Sequence, residues 1–201
     1  MGFFSRKKKK QLPDLHISFD QLDELKKQPF GIKGSIEVDG RSFVYHDAGS
    51  FYDTWQELFV NGLYKFNASG KEPFILDCGA NMGLSLLYFK KEYPRAEIIA
   101  FEPDPMIFEV LSANARNFNW EGVTLYDKAV WDTETTLTFY SDSGMGSSAT
   151  NTFSKVAPIE VKTTRLADHL SRKVDMLKID IEGAEYTVLR DCASRLANVE
   201  H

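Results

Sequence analysis

Residues 74–83 read FILDCGANMG, and this stretch decides the fold. The three apolar residues at its start predict a short buried strand, which Asp77 ends. Gly79 and Gly83 lie in a turn, and the apolar residues 84–89 after it predict a helix. In a doubly wound parallel sheet such a strand–turn–helix unit places its turn at the carboxyl edge, where ligands bind.

The same alternation of strand and helix continues along the chain. Apolar runs at residues 98–101, 123–126 and 176–180 predict three further strands. Asp104 and Pro105 are typical of a helix start, as N-cap residue and first-turn proline. Buried strands that alternate with helices predict an α/β fold, with a parallel sheet covered by helices on both faces.

Two regions depart from this alternation. Residues 136–140 and 159–162 predict strands around a polar loop, 141–154, which is either a mobile connection or a substrate lid. Residues 15–69 predict a lead-in of helix, hairpin and helix. Ser18 is expected to cap the first helix, Asp39-Gly40 to turn the hairpin, and Ser50 with Asp53 to form a capping box.

Composition and charge exclude several classes of protein. The 201 residues suffice for one domain with an extension, and 43% hydrophobic residues exclude a largely disordered chain. The net charge is −5 although residues 6–10 are all basic, so the remaining chain is acidic and nucleic acid is not expected as a partner. No apolar run is long enough to span a membrane.

The N-terminal residues and the cysteines indicate the cellular compartment of the protein. Residues 1–14 are expected to be a flexible basic tail with, at most, weak contact to an anionic membrane surface. Two phenylalanines precede the charges, the reverse of a signal peptide. Cys78 and Cys192 form no disulfide or metal pattern. The sequence therefore predicts a cytoplasmic protein.

A carboxylate after the second strand of the sheet indicates an adenosine ligand. Glu102 ends that strand, where it can accept both hydroxyls of a ribose. The glycine fingerprint of dinucleotide sites fails, because Asn81 and Leu84 stand where two of its glycines belong. S-adenosylmethionine contains adenosine but no pyrophosphate, so it fits better. The alternative is that the turn and Glu102 serve only the local fold.

Three segments together resemble the successive motifs of the FkbM family of methyltransferases. They are residues 74–83, residues 101–105 (FEPDP) and residues 177–185 (LKIDIEGAE), and the resemblance covers about residues 50–201. It implies a class I, Rossmann-like fold that binds S-adenosylmethionine. It also implies methylation of a hydroxyl on a sugar, a glycan or a secondary metabolite.

The resemblance also implies residue roles. Asp77, Gly79 and Asn81 are expected along the methionine arm of the cofactor, Glu102 at the ribose, and residues 127–129 by the adenine. The complete set of expected cofactor residues is Asp77, Gly79, Asn81, Gly83, Glu102, Asp127 and Ala129.

The catalytic residues are expected at the end of the fourth strand. Asp180 is the first candidate for a general base or an electrostatic partner of the sulfonium, with Lys178 on the same face and Glu182 just beyond. Glu182 is equally typical of an acid in the first turn of a helix. His46 is a second candidate base. A divalent cation on these carboxylates is an alternative, but no histidine stands at ligand spacing and no metal site is predicted.

The end of the sequence predicts an incomplete sheet. Residues 70–201 form the Rossmann-like domain, which is expected to lack three C-terminal strands after the fourth strand and its helix. An open fourth strand would favour self-association.

Two functions other than O-methyl transfer are considered. One is a truncated or degenerate adenosine-binding module without activity. The other is a nicotinamide oxidoreductase, against which the glycine pattern argues.

Overall fold

The computed structural model describes residues 15–140, 158–181 and 183–201. The helices are α1 (Phe19–Lys26), α2 (Ala48–Trp55), α3 (Leu84–Glu92), α4 (Pro105–Phe118), α5 (Leu166–His169) and α6 (Glu185–Cys192). The strands are β1 (Gly34–Val38), β2 (Arg41–Tyr45), β3 (Phe74–Cys78), β4 (Glu97–Phe101), β5 (Val123–Tyr126), β6 (Ala129–Trp131), β7 (Thr136–Phe139), β8 (Ile159–Arg165) and β9 (Met176–Ile179). A π-helical turn, Gln56–Val60, extends α2, and a 3₁₀ turn, Leu196–Asn198, follows α6. None of the helices described is both long and apolar enough to cross a lipid bilayer.

The central sheet is parallel and has the strand order β5-β4-β3-β9. The class I fold implied by the resemblance has this order, third strand, second, first and fourth, and the structure confirms it. All five residues of β3 are buried. Because β3 lies between β4 and β9, the turn that follows it meets the ends of both neighbours at one edge of the sheet.

Hydrophobic residues cover both faces of this sheet. Ile75 joins a core that includes the hairpin, α2 and α3, whereas Leu76 joins a second core with Leu166 and Val188 of α5 and α6. The alternation along β3 separates these two cores, as expected for a strand with helices on both sides. The N-terminal lead-in thus packs directly on the sheet.

The lead-in contains the predicted hairpin, with β1 and β2 antiparallel and Val38 opposite Arg41. Asp39 and Gly40 both have positive φ, 51° and 73°, which matches the type I′ turn that closes two-residue hairpins. The predicted Ser50 cap is wrong. Asp47 precedes α2 in an extended conformation, and its carboxylate accepts the Ser50 N–H at 2.6 Å.

A separate three-stranded sheet has the order β6-β8-β7. Strands β7 and β8 lie where the sequence predicted them and pair antiparallel. Strand β6 was not predicted: it has only three residues, and it depends on parallel pairing with the distant β8. The predicted loop at residues 141–154 and the basic tail at residues 1–14 lie outside the described residues.

The outer edge of β9 is partly covered, so the expectation of an open edge is wrong here. The Val174 N–H donates to the Asn198 carbonyl at 2.8 Å, and the Leu177 N–H donates to the His201 carbonyl at 2.9 Å. This pairing is parallel. Helix α6 ends at Cys192, before this pairing begins. Self-association of the chain stays a prediction.

Candidate functional site

A cavity of about 400 Å³ opens at the carboxyl edge of the central sheet. Its volume falls within the range of roughly 300–1,000 Å³ that is usual for small-molecule sites. The turn after β3, the ends of β4 and β9, helix α2 and the small sheet all contribute to its wall. The residues predicted from the sequence that the cavity brings together are Gly79, Asn81, Glu102, Ala129, Lys178 and Asp180.

Gly79 allows the turn to approach its neighbours closely. Its φ is +86°, and the N–H groups of Gly79 and Ala80 donate to the Phe101 carbonyl of β4 at 3.0 and 2.9 Å. A Cβ at Gly79 would overlap the carbonyl oxygen of Asp180. Only glycine fits at this position, and the ends of β3, β4 and β9 can therefore lie close together.

Gly83 lies where the turn meets helix α3. It does not line the cavity, and its φ of +95° begins helix α3. A Cβ there would lie 2.8 Å from Leu111 Cδ1 of α4. Gly83 thus allows α3 and α4 to pack closely. Its effect on the cavity is indirect, because it ends the turn that lines the cavity.

Glu102 is held at the cavity wall by backbone donors. Its Oε2 accepts the Asn81 N–H at 2.9 Å, and its Oε1 accepts the Asp104 N–H at 3.0 Å. The side chain is buried. Burial raises the pKa of Glu102 to about 7, because it disfavours the charged carboxylate more than the two N–H donors favour it.

The Asn81 side chain faces the N-terminal hairpin. Asn81 has a positive φ of 49°, and its Oδ1 accepts the Met82 N–H at 2.7 Å. The same oxygen lies 2.7 Å from Nε2 of His46, which is buried just after β2. The predicted candidate base His46 therefore contacts the turn and does not line the cavity.

Asp77 and Lys178 form a buried ion pair below the turn. Asp77 Oδ1 lies 3.2 Å from Lys178 Nζ, and the side chains are 0% and 6% exposed. The Ser85 hydroxyl donates to Asp77, and the Lys178 ammonium donates to the Gly79 carbonyl. Burial alone would lower the pKa of Lys178, but Asp77, Tyr64 and Asp180 together outweigh burial and hold the pKa above its usual value.

Of the other predicted residues, some line the cavity and some do not. Asp180 lines the cavity, its side chain is 63% exposed, and its Oδ2 lies 3.8 Å from Lys178 Nζ. Ala129 lines the cavity, but the exposed Asp127 does not. Glu182 lies outside the described residues. Among the residues that are described, no group of His, Cys, Asp and Glu side chains is placed to hold a metal ion.

The model of the methyltransferase FkbM domain matches residues 77–200. The chain belongs to the FkbM methyltransferase family. The resemblance found in the three sequence motifs is therefore confirmed.

Known relatives of this FkbM-family chain come from fungi and bacteria. It is 31% identical to methyltransferase sdnD of Sordaria araneosa, over 77% of this chain and 74% of the relative. It is 25% identical to 31-O-demethyl-FK506 methyltransferase FkbM of Streptomyces tacrolimicus, over 75% of this chain and 72% of the relative.

A solved structure shows the same fold. The crystal structure of methyltransferase FkbM from Methylobacillus flagellatus superposes with a TM-score of 0.50 at 19% identity, over 69% of this chain. The FkbM-family chain spans only 33% of that protein. The likeness confirms the predicted Rossmann-like α/β fold.

Sequence reasoning missed one wall of the cavity in this FkbM-family chain. Helix α2 and its π-helical turn contribute a polar face at helical spacing, and the opposite face packs into the core. The residues of the polar face are Ser50, Asp53, Thr54 and Glu57. Their spacing is visible in the sequence, but the direction of the face depends on how α2 packs against the sheet.

Further lining residues come from loops and from the small sheet. Tyr64 lines the cavity, and burial raises its pKa to about 12, so the phenol remains a hydrogen-bond donor. Trp131, Leu137 and Phe139 add an apolar wall from β6 and β7. No local motif distinguishes these residues, because they reach the cavity only through the pairing of the small sheet.

Proposed function

We propose that this chain transfers a methyl group from S-adenosylmethionine to a hydroxyl oxygen of a sugar, a glycan or a secondary metabolite. The family supports methyl transfer in general. The observation that carries the cofactor assignment is the buried Glu102 carboxylate, fixed by Asn81 and Asp104 at the wall of the cavity. The printed name of the Streptomyces relative, which specifies a 31-O position, supports an oxygen acceptor.

The residues present fit this cofactor. Each Glu102 oxygen accepts one backbone N–H, and a carboxylate oxygen has room for a second donor. The two free acceptor positions match the paired hydroxyls of a ribose. Gly79, Ala80 and Asn81 all line the cavity, so a ligand there lies against the turn.

When bound, S-adenosylmethionine supplies a methyl group on a positively charged sulfur. The described part of the cavity wall carries an excess of carboxylates, because Lys178 is already paired with Asp77. Asp53, Glu57 and Asp180 all lie at the wall. A cationic ligand is therefore favoured over a neutral or anionic one of the same shape.

Asp180 is proposed to act on the acceptor. An alcohol is a weak nucleophile, and a positioned base that takes its proton accelerates such reactions by roughly 10²–10⁴-fold. The Asp180 carboxylate lines the cavity and is mostly exposed, so it can accept that proton from the hydroxyl. The polar face of α2 then forms the wall against which the acceptor is oriented.

Binding of the cofactor tests this function. We expect calorimetry to show binding of S-adenosylmethionine and of its demethylated product, and no binding of NAD. Glu102→Gln removes the charge but keeps one oxygen acceptor, so the net loss is about one charged hydrogen bond, roughly 1.5–3 kcal/mol, and the cofactor Kd should rise by about 10–100-fold. Glu109→Gln on the exposed side of α4 is the matched control.

The affinity should also depend on pH. The pKa of Glu102 is about 7, and the ionised form provides the acceptors. Affinity should therefore rise as pH increases to about 7 and become constant above it, with a slope that approaches about tenfold per pH unit on the acidic side. The Glu102→Gln variant should show no such dependence. An unchanged Kd in this variant would contradict the ribose assignment.

A binding module without activity is the alternative that remains. It would bind S-adenosylmethionine with the same dependence on Glu102 but would transfer no methyl group to any hydroxyl acceptor. A turnover assay with labelled cofactor on a panel of sugars and polyols distinguishes the two.

A further inference from the structure

His46 makes a hydrogen bond whose direction the structure fixes. Its Nε2 lies 2.7 Å from Asn81 Oδ1, which also accepts the Met82 backbone N–H at 2.7 Å. A backbone N–H is always a donor, so the Asn81 atom that both contacts share is the amide oxygen. His46 Nε2 must therefore carry a proton and donate it.

This direction excludes the role of general base at that nitrogen. A nitrogen that already donates its proton cannot take another from a hydroxyl. His46 is also only 5% exposed and does not line the cavity. It contacts the turn through Asn81.

The turn that His46 contacts has an uncommon conformation. Asn81 has a φ of 49°, in the left-handed region that asparagine adopts more readily than other side chains but still at a cost in free energy, which its contacts offset. In this conformation the Asn81 N–H reaches Glu102 Oε2 at 2.9 Å. The side chain of Asn81 thus binds His46, and its backbone fixes the carboxylate at the cavity.

The hairpin that carries His46 is anchored to the same turn a second time. The Asn114 amide donates to the Val44 carbonyl and to the Met82 carbonyl, at 2.8 Å each. Asn114 Oδ1 in turn accepts the Val44 N–H at 2.7 Å. His46 therefore extends from a support that is already fixed relative to the turn.

We propose that His46 is a positioning residue for cofactor binding. It holds the Asn81 side chain, keeps the turn in its left-handed conformation and so keeps Glu102 in place. The role in cofactor binding rests on the proposed function. The effect on the turn itself does not, and it can be measured without the cofactor.

The test compares variants with and without a donor at this position. His46→Ala should raise the Kd for S-adenosylmethionine roughly tenfold, which is the effect of one hydrogen bond of typical strength, and leave turnover at saturation unchanged. Without cofactor, hydrogen exchange at the Met82 amide should become about tenfold faster. His46→Gln, whose amide can donate from a similar place, should restore most of both losses. His16→Ala is the control, since His16 is exposed and far from the turn in the chain.

A double variant isolates the bond. Asn81→Gly keeps the positive φ but removes the partner, so His46→Ala should have no further effect on Kd in that background. His46→Leu, which has no donor but leaves a smaller void, replaces His46→Ala if the alanine variant does not fold.

Three outcomes would overturn the proposal. The first is an unchanged rate of hydrogen exchange at the Met82 amide and an unchanged Kd in the variants without a donor. The second is a loss of turnover with unchanged Kd in both His46→Ala and His46→Gln. The third is an effect of His46→Ala on Kd that is as large in the Asn81→Gly background as in the wild-type chain. A wild-type chain that binds no S-adenosylmethionine would instead contradict the proposed function, and hydrogen exchange would still test the role of His46 in the turn.

Discussion

Replacement of Lys178 by methionine is expected to lower the free energy of unfolding by about 3–5 kcal/mol. The change leaves the Asp77 carboxylate charged, fully buried and without its ammonium partner. The Gly79 carbonyl loses a donor at the same time. Urea denaturation of the variant and the wild-type chain, followed by circular dichroism, measures the difference.

Two further variants separate the unpaired charge from the lost side chain. Asp77→Asn combined with Lys178→Met removes both charges and should recover much of the stability, because no isolated ion remains buried. Lys173→Met is the surface control. Lys173 pairs with Asp175 and Glu200 but is 55% exposed, so its loss should cost no more than about 1 kcal/mol. An equal decrease in the free energy of unfolding for Lys178→Met and Lys173→Met would show that the buried ion pair contributes no more to stability than the exposed one.

Replacement of Asp180 by asparagine is expected to lower turnover by roughly 10²–10⁴-fold, far more than it raises the cofactor Kd, because Asp53 and Glu57 remain at the cavity wall. The amide keeps the shape of the side chain but cannot take the proton of the acceptor hydroxyl. Asp180 touches Lys178 only at 3.8 Å and is largely exposed, so the fold should not change. Saturation kinetics together with calorimetry separate the two effects.

The same experiment locates the base among three carboxylates. Asp53→Asn and Glu57→Gln make the same kind of change in the part of the cavity wall that α2 and its π-helical turn form. We expect these two variants to raise the KM of the acceptor more than they lower turnover. Asp23→Asn on α1 is the control outside the cavity. If Asp53→Asn abolished turnover and Asp180→Asn did not, the base would lie on helix α2.

Local patterns predicted the central sheet because its strands are short apolar runs with polar ends. Buried strands and their helices have distinct periodicities, so β3, β4, β5 and β9 could be read from the sequence, whereas their order in the sheet came from the family resemblance. Strand β6 could not, since three residues carry no period and its partner β8 is far along the chain. The Ser50 cap failed because Asp47 competes for the same N–H group.

The site was predictable where strand ends determine it and unpredictable where packing does. Gly79, Asn81, Glu102 and Asp180 follow strands of one sheet and therefore meet at one edge. Asp127 also follows a strand, but its side chain lies away from the cavity. The wall formed by α2 depends on the packing of the lead-in against the sheet, which no local motif encodes.

The position of β9 beside β3 has a consequence for the order in which the site forms during synthesis. The bond between His46 and Asn81 joins residues 35 positions apart, whereas Lys178 and the Cys78 carbonyl are 100 positions apart. Chains emerge from the ribosome at about 5–20 residues per second, N-terminal segments first. The turn can therefore meet the hairpin several seconds before Lys178 exists. In that interval Asp77 has no ammonium partner, and the growing chain must keep this carboxylate in contact with water until β9 arrives.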